Sequence, residues 1–153
     1  MDLVNKIILG DCSEVMKDIP DNSIDLVVTS PPYDNLRYYN NSLHWNMEIF
    51  SKIALEITRV LARGGCLVWI VNDATIKGSE TGTSFKQALY FKEVCGLLLH
   101  DTMIWNKGSA AFQDKNRYIN CFDYMFVFSK GRPKTTNIIK DRRNKWAGTQ
   151  LHG

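Results

Sequence analysis

Long apolar runs and a secretory leader are missing from this 153-residue sequence. A membrane-spanning helix needs about 20 consecutive apolar residues, and no run approaches that length. The N-terminus lacks the basic start and long apolar core of a signal peptide, so we expect a cytoplasmic location. With 44% hydrophobic and 23% charged residues, the composition is typical of a soluble globular protein of one domain.

Patterns typical of metal, disulfide and nucleoside triphosphate sites are also missing. The three histidines lack metal-ligand spacing, and no Cys-x-x-Cys pair occurs among the four cysteines, Cys12, Cys66, Cys95 and Cys121. This scatter predicts buried free thiols, with no disulfide framework and no metal site. The loop 77–83 is rich in glycine and hydroxyl groups, but it lacks the order Gly-x-x-x-x-Gly-Lys-Ser/Thr. We therefore expect no triphosphate-binding loop there.

The sequence is organised around Thr29-Ser30-Pro31-Pro32-Tyr33, which follows the apolar run 24–28. That run predicts a buried strand of a parallel sheet. The segment then lies at the carboxyl end of the strand, where open α/β sheets bind ligands. Each proline fixes its own φ and holds the preceding residue extended. The stiff loop presents the carbonyls of Ser30 and Pro31, the Ser30 hydroxyl and the Tyr33 ring, which together suit a planar ring bearing an exocyclic amino group.

This segment resembles the Ser/Asp/Asn-Pro-Pro-Tyr/Phe motif of the DNA amino-methyltransferases, which methylate N4 of cytosine or N6 of adenine. The lead-in at residues 9–12 and 19–26 is similar to that family too, and a looser likeness extends to about residue 145. The resemblance implies an α/β fold, namely a Rossmann-like, S-adenosylmethionine-dependent methyltransferase sheet with helices on both faces. Because Pro-Pro-Tyr is also a ligand of proline-recognition domains, an interaction protein and a non-catalytic nucleic-acid-binding module stay open as alternatives.

The resemblance implies a reaction and the residues that perform it. The methyl group passes from S-adenosylmethionine to the amino group of a flipped cytosine or adenine in DNA, as in restriction-modification systems, without a metal. The implied catalytic residues are those of the loop, Ser30, Pro31, Pro32 and Tyr33. Ser30 Oγ and a loop carbonyl accept hydrogen bonds from the amino group, and Tyr33 stacks on the base. Whether the target is cytosine N4 or adenine N6 is left open.

The methyl donor is expected near the start of the chain. By resemblance, Asp11, Cys12 and Ser30 are the donor-binding residues, although Asp11 could equally cap a helix or a turn. The Phe-x-Gly-x-Gly turn that binds the donor in this family is absent. In relatives that begin with the Pro-Pro-Tyr motif, that turn comes later. We therefore expect residues 1–153 to be a single partial methyltransferase domain, completed at the donor site by a downstream segment or a second chain.

Basic charge is concentrated at the end of the chain. From Lys130 onward there are seven Lys/Arg and one Asp, a net charge of +6, whereas the rest carries −3. A basic tail over 130–153 predicts a polyanion partner such as DNA, although a solvated surface segment, or the lead-in to a missing segment, fits the charge equally well. The candidate DNA contacts are Tyr33, Arg37, Lys107 and Arg117.

Hydrophobic patterns predict the remaining elements. The clearest is a helix over 45–61 with an apolar stripe at helical spacing, which Gly64-Gly65 would end as a cap. A second buried strand over 66–71 completes a strand–helix–strand unit. We also expect a strand over 6–9, a short helix over 13–17 with Ser13 as N-cap, a helix over 84–99, and strands over 101–105 and 124–128.

Overall fold

The computed structural model describes residues 4–34, 45–108, 118 and 120–137. In chain order the elements are helix α1 (Cys12–Val15) with a 3-10 turn (Met16–Asp18), strand β1 (Ile24–Thr29), helix α2 (Met47–Val60), strand β2 (Leu61–Val71), the short strands β3 (Thr75–Ile76) and β4 (Ser79–Glu80), helix α3 (Thr83–Glu93), and strands β5 (Leu98–Asn106) and β6 (Phe122–Ser129).

Four strands form the main sheet in the order β1-β2-β6-β5. β1 and β2 are parallel, with Val27 opposite Leu67. β6 runs antiparallel to both of its neighbours, β2 and β5. The sheet is therefore mixed, and the α/β fold class and the strand–helix–strand unit β1-α2-β2 agree with the prediction.

Helix α2 anchors the core through its apolar stripe. The helix begins after Asn46, whose Oδ1 accepts a hydrogen bond from Ile49 N at 2.9 Å and caps the first turn. Phe50 is fully buried, and its ring centroid lies 5.6 Å from that of Trp69 on β2 and 5.4 Å from that of Phe91 on α3. Helices α2 and α3 therefore pack on the same face of the sheet.

The predicted role of Gly64-Gly65 as a helix cap is wrong. Helix α2 ends at Val60, and β2 begins at the next residue, Leu61. The glycines therefore lie inside β2, which starts five residues earlier than predicted. The apolar pattern is continuous through this junction, so hydrophobicity alone did not separate the last helical turn from the strand.

The glycine at position 64 is explained by the close approach of another segment of the same chain, residues 130–134. Gly64 has a φ of 75°, and a Cβ there would lie 2.7 Å from Lys134 Cγ and 2.9 Å from the Arg132 carbonyl oxygen. Gly64 N donates to the Lys130 carbonyl at 2.7 Å, and Lys134 N donates to the Gly64 carbonyl at 3.1 Å. Residues 130–134 are thereby held against β2.

The N-terminal part of the chain also differs from the prediction. Residues 6–9 form no strand, and Ile7 and Leu9 are fully exposed. Among the described residues no strand lies beside this segment, and a lone strand leaves its backbone N–H and C=O groups without partners. The N-cap of α1 is Asp11, whose Oδ1 accepts from Ser13 N at 2.8 Å, and not Ser13 as predicted.

Helix α3 is shorter than its apolar pattern predicts. It ends at Glu93, and Gly96, with a φ of 70°, turns the chain into β5 two residues later. Both β5 and β6 extend beyond their predicted ranges. Within the described residues, no helix combines the length and apolarity that crossing a membrane requires.

The sheet face opposite α2 and α3 carries exposed apolar side chains. Leu26 and Val28, predicted to be buried, are each 59% exposed. Side chains alternate along a strand, so these two point away from Val27, which packs against the core. In the part of the chain that the structure describes, both long helices lie on one face, whereas the prediction placed helices on both.

Candidate active site

The Ser30–Tyr33 loop lies where it was predicted, at the carboxyl end of β1. That strand ends at Thr29, which pairs with Trp69 of β2. Because β1 and β2 are parallel, the loop that leaves β2 after Val71 starts at the same edge of the sheet. Ser30 is exposed, whereas Tyr33 is half-buried and packs against the core cluster.

The Tyr33 hydroxyl joins the loop to strand β6, which β2 separates from β1 in the sheet. It lies 3.0 Å from Ser30 Oγ and donates to Asp123 Oδ2 at 3.2 Å. Asp123 stands near the start of β6 and is only 2% exposed. A ligand of a proline-recognition domain needs an accessible tyrosine on an extended segment. The anchored, half-buried Tyr33 therefore argues against the interaction-protein alternative.

Two further side chains donate to the buried carboxylate of Asp123. Asn72, just after β2, donates from Nδ2 to Asp123 Oδ1 at 2.8 Å and to the Phe122 carbonyl at 2.7 Å. Lys107, just after β5, places Nζ 2.6 Å from Asp123 Oδ2 and 6.0 Å from the centroid of the Tyr33 ring. The ends of β1, β2, β5 and β6 thus meet at one carboxylate, and the motif loop is tied to all four.

Two further acidic residues, Asp34 and Asp73, accept hydrogen bonds near the motif. They connect the segment after Tyr33, the loop after β2 and the start of α3. Asp34 Oδ2 accepts from Thr81 Oγ1 at 2.7 Å and from Ala74 N at 3.2 Å. Asp73 Oδ1 accepts from Ser84 N at 2.9 Å, and its Oδ2 accepts from Ser84 Oγ at 2.5 Å. Asp73 therefore binds the first turn of helix α3 through Ser84, and Asp34 fixes the segment after Tyr33 to the loop that precedes this helix.

The two candidate donor residues at the N-terminus lie at the start of α1. Asp11 accepts from Ser13 N at 2.8 Å and from Ser13 Oγ at 2.7 Å, and these hydrogen bonds lower the pKa of the Asp11 carboxyl. The structure thus shows Asp11 as a helix cap, one of the two roles weighed for it. Both Asp11 and Cys12 are exposed, so the predicted burial is wrong for the Cys12 thiol. The part of these two residues in donor binding stays a prediction.

The candidate DNA contacts are only partly described. Arg37 and Arg117 lie outside the described residues, as does the tail from residue 138 onward. Lys107 is 42% exposed, but its charge is paired with that of Asp123. In the described part of the tail, Lys130 Nζ donates to the Thr58 carbonyl at 2.7 Å. A DNA-binding role for these residues stays a prediction.

Sequence reasoning missed Asp123 and Asn72, the residues that connect the motif loop to the sheet. One signal was present, because Asp123 is a charged residue inside the apolar run 122–128, and acids are rarely buried without partners. Its partners could not be read from the sequence, since Tyr33 is 90 positions away. Within the described residues, no group of three or more His, Cys, Asp or Glu side chains is arranged to hold a metal ion.

Comparison with known proteins places this arrangement in a family. Residues 24–152 match a family model described as DNA methylase. The chain is 57% identical over 136 residues to the orphan methyltransferase M.BamHII of Bacillus amyloliquefaciens, a match that covers 89% of this chain and 49% of the relative. The chain therefore spans about half the length of this relative.

Solved structures support the fold. The PvuII DNA methyltransferase, which is cytosine-N4-specific, superimposes with a TM-score of 0.64 at 22% identity, over 82% of this chain and 49% of that one. The complex of M1.HpyAVI with SAM superimposes with a TM-score of 0.59 at 21% identity, over 91% of this chain and 62% of that one. The match of the family model over most of the chain, together with the high identity to M.BamHII, shows that the chain belongs to the N6/N4 family of DNA methylases.

Proposed function

We propose that this chain supplies the catalytic loop of a DNA methyltransferase that modifies the exocyclic amino group of cytosine (N4) or adenine (N6). The observation that carries the proposal is the position of Ser30 Oγ, which is exposed at the end of β1 and held 3.0 Å from the Tyr33 hydroxyl. An acceptor fixed at this edge of the sheet, in a member of this family, is placed to meet an amino group.

The chemistry follows from the weakness of the nucleophile. The lone pair of the amino nitrogen is delocalised into the base, so the nitrogen attacks poorly in its ground state. Hydrogen bonds from its N–H groups to Ser30 Oγ and a loop carbonyl favour a tetrahedral nitrogen and stabilise the positive charge that develops there. Pro31 and Pro32 hold these acceptors in place before the reaction, which removes an entropic cost from the step.

The target base has to leave the duplex before it reaches this loop. The amino nitrogen is inaccessible inside the stack, so the nucleotide is flipped into the site. We propose that Tyr33 stacks on the flipped base, because its ring is fixed at the hydroxyl end by Ser30 and Asp123. The basic residues Arg37, Lys107 and Arg117 and the tail over 130–153 are proposed to bind the DNA backbone.

S-adenosylmethionine is the proposed donor and supplies a methyl group bound to a positively charged sulfur. Asp11 and Cys12 are exposed at the start of α1, and Ser30 is exposed at the end of β1, so all three are accessible to a bound donor. The carboxylate of Asp11 and the hydroxyl of Ser30 are suited to its hydroxyl and amino groups. The proposal requires no metal.

A further segment is proposed to complete the donor site. Leu26 and Val28 expose apolar surface on the first strand of the sheet, and M.BamHII is about twice as long as the matched region. Exposed apolar area of this kind marks an interaction surface. We propose that a segment of the same protein or of a second chain covers this side of β1 and contributes the remaining donor contacts.

Transfer of a labelled methyl group tests the proposed function. The chain is mixed with duplex DNA and labelled S-adenosylmethionine, alone and together with the part of M.BamHII that the match leaves uncovered. We expect label in the DNA in the combined reaction, and a loss of roughly 10²-fold for Ser30→Ala. Ser51→Ala, on the surface of α2, is the matched control and should keep full activity. DNA binding without any transfer would favour the non-catalytic alternative instead.

A further inference from the structure

Asp123 receives hydrogen bonds from three donors and has little contact with water. Tyr33 Oη donates at 3.2 Å, Asn72 Nδ2 at 2.8 Å, and Lys107 Nζ lies at 2.6 Å, while Asp123 itself is 2% exposed. The orientation of Asn72 is fixed independently, because its Oδ1 accepts from Asp73 N at 2.8 Å. With an ammonium and an amide NH₂ already directed at it, the Asp123 carboxylate acts only as an acceptor.

The acceptor character of Asp123 determines the direction of the next hydrogen bond. Tyr33 has one hydroxyl proton, and this proton is donated to Asp123. In the 3.0 Å hydrogen bond between Ser30 Oγ and Tyr33 Oη, Ser30 must therefore be the proton donor and Tyr33 the acceptor. Once the Ser30 proton is engaged in this way, Ser30 Oγ presents only lone pairs toward the exposed side of the loop.

We propose that Asp123 is a positioning residue that acts through Tyr33 to make Ser30 Oγ an obligate acceptor. This inference rests on the proposed function, since it assigns the property that an amino group requires of its partner. An N–H donor on the base meets lone pairs and is bound. A keto oxygen at the same position meets lone pairs as well and is repelled. The relay from Asp123 through Tyr33 to Ser30 thereby selects amino-bearing bases over keto-bearing ones.

The substitution Asp123→Asn tests the relay because every partner of Asp123 is a donor. In either orientation the asparagine NH₂ group faces Asn72 on one side, or Lys107 and Tyr33 on the other. Tyr33→Phe removes the hydroxyl but keeps the ring and leaves the pair between Asp123 and Lys107 intact. Tyr124→Phe is the matched control, because alternation along β6 directs residue 124 to the opposite face from residue 123.

The kinetic readout is the single-turnover rate of methyl transfer, measured beside the affinities for donor and DNA. We expect Tyr33→Phe and Asp123→Asn each to lower the rate about three- to tenfold, the effect of one hydrogen bond, with donor and DNA affinities unchanged. The double variant should be no slower than the slower single variant, because both break the same relay. Additive losses, or a wild-type rate in Tyr33→Phe, would overturn the inference while leaving the proposed function intact.

A measurement on the chain without DNA or donor keeps the inference testable when no transfer is seen. The chain is labelled with ¹³C at Cζ of tyrosine, and the Tyr33 resonance is assigned as the one lost in Tyr33→Phe. Asp123→Asn should shift this resonance, whereas Asp101→Asn, at an exposed acid on β5, should leave it in place. If the chemical shift of the Tyr33 resonance is unchanged by Asp123→Asn, the relay does not form. This result does not depend on whether the proposed function is correct.

Discussion

The Tyr33 hydroxyl lies 3.2 Å from Oδ2 of Asp123, a residue 90 positions later in the chain. This contact joins the loop after β1 to the start of β6, although β2 lies between the two strands in the sheet. The position of the motif loop therefore depends on the hairpin formed by β5 and β6, and not only on the two prolines. Substitutions at either end of the contact should affect both stability and the site.

Stability should fall when Asp123 loses one acceptor oxygen. Asp123→Asn places an NH₂ group against a donor in a buried position, and we expect the free energy of unfolding to drop by about 1–3 kcal/mol. Urea denaturation followed by circular dichroism measures the change. Asp101→Asn, at an exposed position of β5, should change stability by less than about 0.5 kcal/mol. Equal effects of the two substitutions would show that the Asp123 contacts do not stabilise the fold.

A second prediction compares two glycines, Gly64 and Gly78, to separate the cost of a left-handed backbone from the cost of steric overlap with an added Cβ. Gly64 and Gly78 both have positive φ, 75° and 80°, but an added Cβ meets Lys134 and Arg132 at position 64 and nothing within 4 Å at position 78. Gly78→Ala should therefore cost only the left-handed backbone, about 1–2 kcal/mol. Gly64→Ala should cost about 1–3 kcal/mol more, because the segment that follows Lys130 has to move. Identical melting temperatures for the two variants would contradict the packing of that segment on β2.

The proposal that Tyr33 stacks on the flipped base gives a third prediction, about the affinity for DNA and not the rate of transfer. Tyr33→Ala removes the ring and should weaken binding to DNA that carries a mismatched, easily flipped target by roughly 1–3 kcal/mol. Tyr33→Phe keeps the ring and should bind that DNA as tightly as the wild type. Fluorescence anisotropy measures both affinities. Equal weakening by the two substitutions would assign the contribution of Tyr33 to its hydroxyl and rule out stacking.

The basic tail makes a fourth prediction, in the salt dependence of DNA binding. Truncation after residue 137 removes four basic residues, Lys140, Arg142, Arg143 and Lys145. Each phosphate contact that is lost should reduce the slope of log affinity against log salt by about 0.9. Lys52→Gln is the control, because Lys52 lies on helix α2, outside the tail, with its Nζ 2.8 Å from Glu48 Oε1, and should not contribute to the slope. A truncated chain with an unchanged slope would exclude the tail from the DNA interface.

The exposed face of β1 makes a fifth prediction, about the methyl donor. With Leu26 and Val28 uncovered, we expect the isolated chain to bind S-adenosylmethionine weakly and to associate with itself. Calorimetry should detect tight one-to-one binding of S-adenosylmethionine only after the part of M.BamHII that lies outside the matched region has been added. Tight binding and turnover by the isolated chain would show that the donor site needs no further segment.

Local patterns predicted those elements whose partners are near in sequence. The apolar stripe of α2, whose Phe50 and Ile57 are buried, follows from helical spacing alone. The motif loop was located from the strand before it, because an apolar run followed by two prolines leaves few other conformations. These features depend on the residues themselves and on their immediate neighbours.

Features that depend on distant parts of the chain were missed. Residues 6–9 have a strand-like pattern but form no strand, because a strand requires a hydrogen-bonding partner and none of the described strands lies beside them. Gly64 was taken for a helix cap, although its role is set by contacts to residues 130–134. The contact between Asp123 and Tyr33 is of the same kind. Periodicity records which face of an element is buried, but not what packs against it.

The central claim is that the Ser30–Tyr33 loop directs methylation to an exocyclic amino nitrogen, and the chemical identity of the methylated nucleoside tests it most directly. DNA from the combined methyl-transfer reaction is digested to nucleosides, which are separated against standards and identified by mass spectrometry. We predict that the label is found in N4-methylcytosine or N6-methyladenine and that Ser30→Ala lowers the yield of that nucleoside. Label in 5-methylcytosine, or in any nucleoside methylated at a ring atom, would contradict the account.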